Sequence, residues 1–197
     1  KEIKKELPNC YIVFGGPHVN VLPVQTLEHD LVDFVSAGTG QNSFSQLADS
    51  IILGKKPQGI DGVYYKDEAK RIYCPPKLKA TIPHLYSYNF DLINPETYIR
   101  YDSTISDRTI NYIASQGCPY ACNFCYECSY DKKYYSMNTS TVYKDLELFA
   151  TKFKVTGIKF YDADFFINTK RCGEIIQGLN QFGLSWAASI HPNDILH

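Results

Sequence analysis

The sequence of residues 117–125 is Gly117-Cys118-Pro119-Tyr120-Ala121-Cys122-Asn123-Phe124-Cys125, and it places three cysteines within eight residues. Glycine and proline shape the turn, so the three thiolates can close around an iron–sulfur cluster from a single loop. A cubane of four irons held by three cysteines keeps one iron without a protein ligand. This segment therefore predicts a cluster with one open coordination site, as a reactive metal centre requires.

Three other interpretations of the cysteines fit the sequence less well. Cysteines at positions i, i+4 and i+7 can form the apolar face of a buried helix, but Gly117, Pro119 and Asn123 disfavour a helix here. A zinc site that recruits Cys128 is disfavoured because structural zinc normally uses two separated ligand pairs. Disulfides are disfavoured because seven cysteines is an odd number and no secretory segment is visible.

The Cys-x3-Cys-x2-Cys spacing with Phe124 before the last cysteine resembles the signature of the radical S-adenosylmethionine superfamily. The residues around it, Ser115–Tyr120 and Phe124-Cys125, resemble the cobalamin-associated branch of that superfamily. The resemblance implies that Cys118, Cys122 and Cys125 hold a 4Fe-4S cluster. It also implies that S-adenosylmethionine binds the free iron and lies beside Phe124.

Composition limits the class of protein. The chain has 197 residues, of which 44% are hydrophobic, so it can bury a core. A net charge of −1 provides no field for nucleic acid or an anionic membrane, and no apolar run reaches the roughly 18 residues of a membrane span. We expect a cytoplasmic protein without a nucleic-acid partner. Because Lys1–Leu7 reads as the end of a helix and lacks an initiator methionine, we also expect a fragment.

The N-terminal part predicts a parallel sheet. Two strand-like apolar runs, 10–14 and 32–37, are each followed by glycines, which are Gly15-Gly16 and Gly38-Thr39-Gly40. After the second turn, Phe44, Leu47, Ala48 and Ile51 mark one face of a helix. A dinucleotide fingerprint is disfavoured because Ser43 occupies the third glycine position.

The same glycines resemble elements of the cobalamin-binding module. The resemblance implies that Gly15, Gly16, Gly38 and Gly40 lie beside cobalamin. Thr39 and Gln41 stand where carboxylates are common in the family. The module's histidine-bearing motif would lie upstream of Lys1, so His18 is not assigned as a cobalt ligand and reads as an ordinary turn residue.

A predicted hairpin, 60–65 with 70–73, closes this part of the chain. Prolines and tyrosines follow to about residue 100 without a sustained period, which indicates a linker that packs against the domains. We predict a truncated Rossmann-like cobalamin-binding domain at 1–67, a linker at 68–107, and the first part of a radical S-adenosylmethionine barrel at 108–197.

The C-terminal part alternates strands with helices. Strands are predicted at 109–115, 157–161 and 185–190, with helices that begin near Asn138 and near Asn168 or Thr169. This order is the beginning of a parallel (β/α) barrel, whose chemistry lies on loops after the strands. Asp162 and Asp164 lie on such a loop, and the resemblance implies that one of them binds the amino group of S-adenosylmethionine. Cys172 is predicted to be buried on a helix face.

The fold class is therefore α/β, with the C-terminal part of a doubly wound domain followed by half of a partial barrel. The resemblance implies reductive cleavage of S-adenosylmethionine to a deoxyadenosyl radical, with cobalamin-associated methyl transfer or radical rearrangement on a small molecule or natural product. The electron donor would be a flavodoxin or ferredoxin. Two alternatives stay open, which are an electron-transfer or binding module with Cys128 as fourth cluster ligand, and a radical enzyme that no longer binds cobalamin.

Overall fold

A computed structural model describes residues 1–70, 72–79, 88–129 and 133–195. For Cys128 and Ser129 it describes the backbone alone. The chain divides into two units, 1–83 and 84–197, which are described separately.

The first unit contains a four-stranded sheet with the order β1-β2-β3-β4. Its elements are α1 (Glu2–Glu6), β1 (Val13–Gly15), α2 (Pro17–Val21), α3 (Pro23–Glu28), β2 (Phe34–Ser36), α4 (Gln41–Ile52), β3 (Val63–Lys66) and β4 (Ile72–Tyr73). β1 and β2 are parallel, and the antiparallel pair β3 and β4 extends the sheet beyond β2. The predicted parallel strands and the predicted hairpin are both confirmed, although Arg71 of the hairpin lies outside the described residues.

Helices cover both faces of this sheet, because successive strand residues point to opposite sides. Val35 and Tyr64 pack with residues of α2 and α3, whereas Phe34 and Val63 pack with Leu47 of α4. The prediction that Phe44 lies on the buried face of α4 is wrong, because its side chain is 53% exposed. Ser43 is buried instead, and its hydroxyl lies 2.9 Å from the Ser36 hydroxyl, so a polar contact takes part in the packing of this helix on the sheet.

The second unit contains a four-stranded sheet with the order β10-β9-β6-β5 and a separate two-stranded pair. Its elements are β5 (Arg100–Asp102), β6 (Ser106–Tyr112), β7 (Ser115–Gln116), β8 (Tyr135–Ser136), α5 (Thr139–Thr151), β9 (Gly157–Phe160), α6 (Thr169–Gln181), β10 (Ser185–Ala187) and α7 (Pro192–Ile195), with 3-10 turns at Pro95–Tyr98 and Tyr126–Ser129. β6, β9 and β10 are parallel and in the predicted order, whereas β5 is antiparallel to β6.

Helices α5 and α6 pack on one face of this sheet. Val142, Leu146 and Phe149 of α5 and Cys172 and Ile175 of α6 share a core with the strands, and this confirms that Cys172 is buried. The side chain of Asn168 caps α6 by accepting from Arg171 N at 3.1 Å. No helix among the residues described here is both long and apolar enough to cross a bilayer.

Residues 68–107 do not form a separate linker in the structure. β4 belongs to the sheet of the first unit, whereas Phe90 packs on Phe149 and β5 pairs with β6 in the second unit. The reason is that backbone pairing extends into the segment from each side: the predicted hairpin supplies β4, and β5, which the sequence did not predict, pairs with β6. Residues 80–87 of the predicted linker lie outside the described part of the chain.

Candidate cofactor sites

The four glycines predicted to meet cobalamin line one cleft of the first unit. Gly15, Gly16, Gly38 and Gly40 lie at the carboxyl ends of β1 and β2, around a cavity of about 450 Å³. Ligands of open α/β sheets bind beyond the carboxyl ends of parallel strands. The structure therefore brings these four residues together at a position suited to a ligand.

Backbone conformation explains some of these glycines but not all of them. Gly16 and Gly40 have φ angles of +91° and +82°, which side chains other than glycine rarely adopt. Gly15 has no positive φ, and a Cβ added to it would meet Ser36 O at an ordinary 3.6 Å. The packing of the first unit therefore does not require glycine at position 15, whereas a ligand that closely approaches the backbone would require it.

Polar groups of the cleft also fit a ligand. The Thr39 Oγ1 atom is buried and has no hydrogen-bond partner among the described residues, although it can both donate and accept. Asn20 holds the turn by accepting from Gly38 N at 2.6 Å. The N-terminus of α4 adds backbone N–H groups without a side-chain cap. These groups suit the polar nucleotide tail of cobalamin.

In the second unit, the three cysteines of the loop are each partly buried and none forms a disulfide. Burial raises the pKa of the Cys118 thiol, and the Asp164 carboxylate and the thiols of Cys122 and Cys125 raise it further. A hydrogen bond from Cys125 N to Cys122 O, at 2.9 Å, shapes the second half of the loop. The three thiols fit an iron–sulfur cluster by donor type, because such clusters are held by cysteine thiolates.

A site for a single metal ion differs from a cluster site, because all its ligands must reach one atom. Within the described part of the chain, no group of three or more His, Cys, Asp or Glu residues is placed to hold one ion. The side chain of Cys128 lies outside the described residues. The zinc interpretation and the fully ligated cluster would both use this side chain as a ligand.

The loop after β10 contacts the cysteine loop through two residues that the sequence did not single out. The Tyr120 hydroxyl donates to Asp194 Oδ1 at 2.5 Å, and this bond raises the pKa of Tyr120 to about 12. The His191 ring stacks on Tyr120, with ring centroids 3.8 Å apart, and its Nε2 lies 3.5 Å from Cys122 Sγ. The available signal was the position of a histidine and an acidic residue just after a parallel strand, on the same edge as the cysteines.

The two aspartates after β9 have different environments. Asp162 is buried, and its carboxylate accepts from Ala114 N at 2.8 Å and from the Ser115 hydroxyl. It therefore ties the loop after β9 to the residues that precede the cysteine loop. Burial is the main reason that its pKa is raised.

Asp164 is buried as well, and its Oδ1 accepts from Phe166 N at 3.1 Å. Its Oδ2 accepts no hydrogen bond from any residue that the structure describes. Burial and a side-chain hydrogen bond with the Asp194 carboxyl raise the pKa of Asp164, whereas the backbone N–H groups of Phe166 and His191 lower it. Of the two aspartates, Asp164 thus has an acceptor to offer a ligand.

Phe124 and His18 are the remaining residues that the sequence analysis discussed, and both are exposed. Phe124, expected beside S-adenosylmethionine, has a ring that is 94% exposed on the cysteine loop. His18 is exposed in the short helix α2. Their roles stay predictions.

Sequence comparison relates the chain to methyltransferases. No protein-family model matches it. It is 30% identical to an uncharacterised methyltransferase of Pyrococcus horikoshii over 94% of this chain and 40% of that protein. It is also 30% identical to the cobalamin-dependent radical S-adenosylmethionine methyltransferase TokK of Streptomyces tokunonensis, over 64% of this chain and 19% of that protein.

Structure comparison finds the same fold in enzymes of that class. The fold matches the radical S-adenosylmethionine methyltransferase TsrM of Kitasatospora setae, solved with cobalamin and a [4Fe-4S] cluster, with a TM-score of 0.62 and 18% identity. That match covers 91% of this chain and 36% of TsrM. The match to the cobalamin-dependent S-adenosylmethionine radical enzyme OxsB has a TM-score of 0.64 and 15% identity, over 91% of this chain and 26% of OxsB.

These comparisons confirm the predicted resemblance. The chain is similar in sequence to methyltransferases, one of them a cobalamin-dependent radical S-adenosylmethionine enzyme, and in fold to enzymes of that class. It spans less than half the length of each of these relatives.

Proposed function

We propose that this chain is part of a cobalamin-associated radical S-adenosylmethionine enzyme that acts on a small molecule or natural product, by methyl transfer or radical rearrangement. The observation that carries the proposal is the loop with three thiols at the carboxyl edge of the parallel strands β6, β9 and β10. The likeness to methyltransferases of this class supports it.

In this proposal Cys118, Cys122 and Cys125 hold a 4Fe-4S cluster. When bound, the cluster would supply the one electron that breaks the S–C5′ bond of S-adenosylmethionine, giving methionine and a deoxyadenosyl radical, and a flavodoxin or ferredoxin would return that electron to the cluster. Asp164 Oδ2 accepts a hydrogen bond from the amino group of S-adenosylmethionine, because this buried oxygen lacks a hydrogen bond of full geometry among the described residues. Asp162 holds the backbone before the loop, and Phe124 covers the bound S-adenosylmethionine with its exposed ring.

Gly15, Gly16, Gly38 and Gly40 would line the cobalamin site in the first unit. Thr39 Oγ1 would exchange hydrogen bonds with the polar tail of cobalamin, at a position where carboxylates often stand in the resembled family. The first unit then corresponds to the end of a Rossmann-like cobalamin-binding domain, since helices cover both faces of its sheet. The second unit corresponds to the first part of a partial barrel, since its parallel strands carry helices on one face.

The test of the cluster is anaerobic reconstitution of the full-length protein with iron and sulfide. We expect about four irons per protein, the absorption of a 4Fe-4S cluster, and formation of deoxyadenosine from S-adenosylmethionine. Cys122→Ala should abolish deoxyadenosine formation. Cys172→Ala is the matched control, because this cysteine is buried in the helical core and donates to Phe165 O. Unchanged turnover in Cys122→Ala would refute the proposal.

Cobalamin binding has its own test, which also decides whether the enzyme has lost this cofactor. The purified protein should carry cobalamin absorbance, and Gly15→Val should reduce the bound amount at least tenfold, on the order of 1.4 kcal/mol. The reason is that the added side chain would enter the cleft without a strained backbone. Circular dichroism should show an unchanged fold, and full cobalamin occupancy in Gly15→Val would contradict the site.

A fully ligated cluster is the second candidate function, and Cys128→Ala distinguishes it. Loss of the cluster in this variant would favour an electron-transfer or binding module, whereas an intact and reactive cluster would favour the enzyme.

A further inference from the structure

The hydrogen bonds of His191 define its tautomer. Its Nδ1 accepts from the backbone N–H of Asn193 at 3.2 Å. A neutral imidazole carries one proton, so the nitrogen that accepts this bond leaves the proton on the other nitrogen. The proton is therefore on Nε2, the atom that lies 3.5 Å from Cys122 Sγ. The imidazole presents an N–H donor to a sulfur atom.

Neighbouring side chains fix the direction of this donor. The ring of His191 is nearly parallel to that of Tyr120, with an interplanar angle of 13°. Tyr120 is in turn held by its hydrogen bond to Asp194, which lies in α7 three residues after His191. His191 and Asp194, which both follow β10, thus contact Tyr120 of the cysteine loop, and the imidazole points at the Cys122 thiol.

We propose that His191 is a positioning residue that donates an Nε2–H···Sγ hydrogen bond to the cluster thiolate of Cys122 and thereby raises the reduction potential of the cluster. The inference rests on the proposed function, because it requires that Cys122 be a cluster ligand. Hydrogen bonds to sulfur are among the factors that set the potentials of iron–sulfur clusters.

The physical basis is the charge added on reduction. One electron from a low-potential donor enters the cluster, no bond is formed or broken, and the thiolate sulfurs share the added negative charge. An N–H donor stabilises an acceptor more strongly as its charge becomes more negative. The reduced form therefore gains more from His191 than the oxidised form.

The test is a redox titration of the reconstituted full-length protein, with dithionite as reductant and electron paramagnetic resonance as the readout of the reduced cluster. His191→Phe keeps an aromatic ring beside Tyr120 but removes the donor. We expect its cluster to be about tenfold harder to reduce at equilibrium, which is a fall of about 59 mV for a one-electron couple. His191→Gln, which restores an N–H donor, should recover part of the shift.

His29→Phe is the matched control. His29 also accepts at Nδ1 from a backbone N–H two residues later, that of Leu31 at 3.2 Å, but it belongs to the first unit. Its substitution should leave the potential unchanged.

The outcomes separate this inference from the proposed function. A wild-type protein that assembles no four-iron cluster refutes the proposed function. A normal cluster with the wild-type potential in His191→Phe refutes only the inference. If His191→Phe does not retain iron, His191→Leu replaces it as the variant without a donor. Failure of both to retain iron, while His191→Gln retains it, would show a purely structural role and overturn the inference.

Discussion

Replacing the two neighbouring aspartates one at a time should separate a structural carboxylate from a ligand-binding one. Asp162→Ala leaves the Ala114 N–H and the Ser115 hydroxyl without their acceptor in a buried region. Each buried donor left unsatisfied costs about 1–3 kcal/mol. Because the raised pKa of Asp162 shows that its burial is itself unfavourable, removal recovers part of this loss. We expect the free energy of unfolding to fall by about 3 kcal/mol, within the range of these estimates.

Asp164→Ala should behave differently. It loses one acceptor, for Phe166 N, and it removes a buried oxygen that has no hydrogen-bond partner among the described residues. The loss of the hydrogen bond and the recovered burial penalty nearly cancel, so the free energy of unfolding should change by no more than about 1 kcal/mol. Affinity for S-adenosylmethionine should fall by about 10- to 100-fold, since a hydrogen bond to a charged group contributes about 1.5–3 kcal/mol.

The two assays are urea unfolding and calorimetric binding. Trp186 is the only tryptophan of the chain and packs near Phe165 and Phe166, so its fluorescence reports on the second unit. Binding of S-adenosylmethionine is measured anaerobically on the reconstituted full-length protein. The reasoning is refuted if Asp164→Ala is destabilised as much as Asp162→Ala, or if it binds S-adenosylmethionine as tightly as the wild-type protein.

Three further predictions concern the second unit. Gly157→Ala should destabilise it by about 1–3 kcal/mol, because the new Cβ would lie 2.7 Å from Ile105 Cγ2. Gly173→Ala should instead stabilise it by about 0.5–1 kcal/mol, because Gly173 is helical and has open space around the position of its Cβ. Equal effects of the two substitutions in urea unfolding would contradict this prediction. Burial raises the pKa of Asp145 and Asp162 above the ordinary value of 3.8, so the folded state holds more protons than the unfolded state above that pH. The free energy of unfolding should therefore fall as pH rises from 3.8 through the raised values, and a rise that persists in urea titrations across this window would be inconsistent with buried, protonated carboxyls. Cys172→Ala should keep the wild-type iron content and lose about 1 kcal/mol of stability with its hydrogen bond to Phe165 O, and loss of iron would show that it is a ligand after all.

The sequence predicted those features whose cause is local. The three cysteines lie in one loop as partly buried free thiols, and their role as cluster ligands stays a prediction. The order of β6, β9 and β10 followed from apolar runs separated by amphipathic helices, because right-handed helical crossovers leave parallel strands few alternative arrangements. Paired glycines after β1 and β2 met in one cleft for the same reason, because the carboxyl ends of parallel strands share an edge.

Features that depend on contacts distant in sequence were not predicted. Hydrophobic spacing placed Phe44 on the same face of α4 as Leu47, yet Leu47 is buried against the sheet while Phe44 is 53% exposed. The proposal of Asp164 rather than Asp162 as a ligand depends on the hydrogen bond that the backbone N–H of Ala114, 48 residues earlier, donates to Asp162. No periodicity carries that information.

The contact of the loop after β10 with the cysteine loop shows why site geometry is harder to predict than site chemistry. Tyr120 and Asp194 are 74 residues apart, and Cys122 and His191 are 69 residues apart. Neither pair has a sequence pattern, since each needs only one suitable side chain at the correct edge of the sheet. The fold nevertheless limits the search, because residues just after each parallel strand are the ones able to reach the cysteine loop. A histidine in such a position deserves a test even when its sequence surroundings are ordinary, and the potential of the His191→Phe cluster is the measurement that decides whether the contact tunes the site or only packs against it.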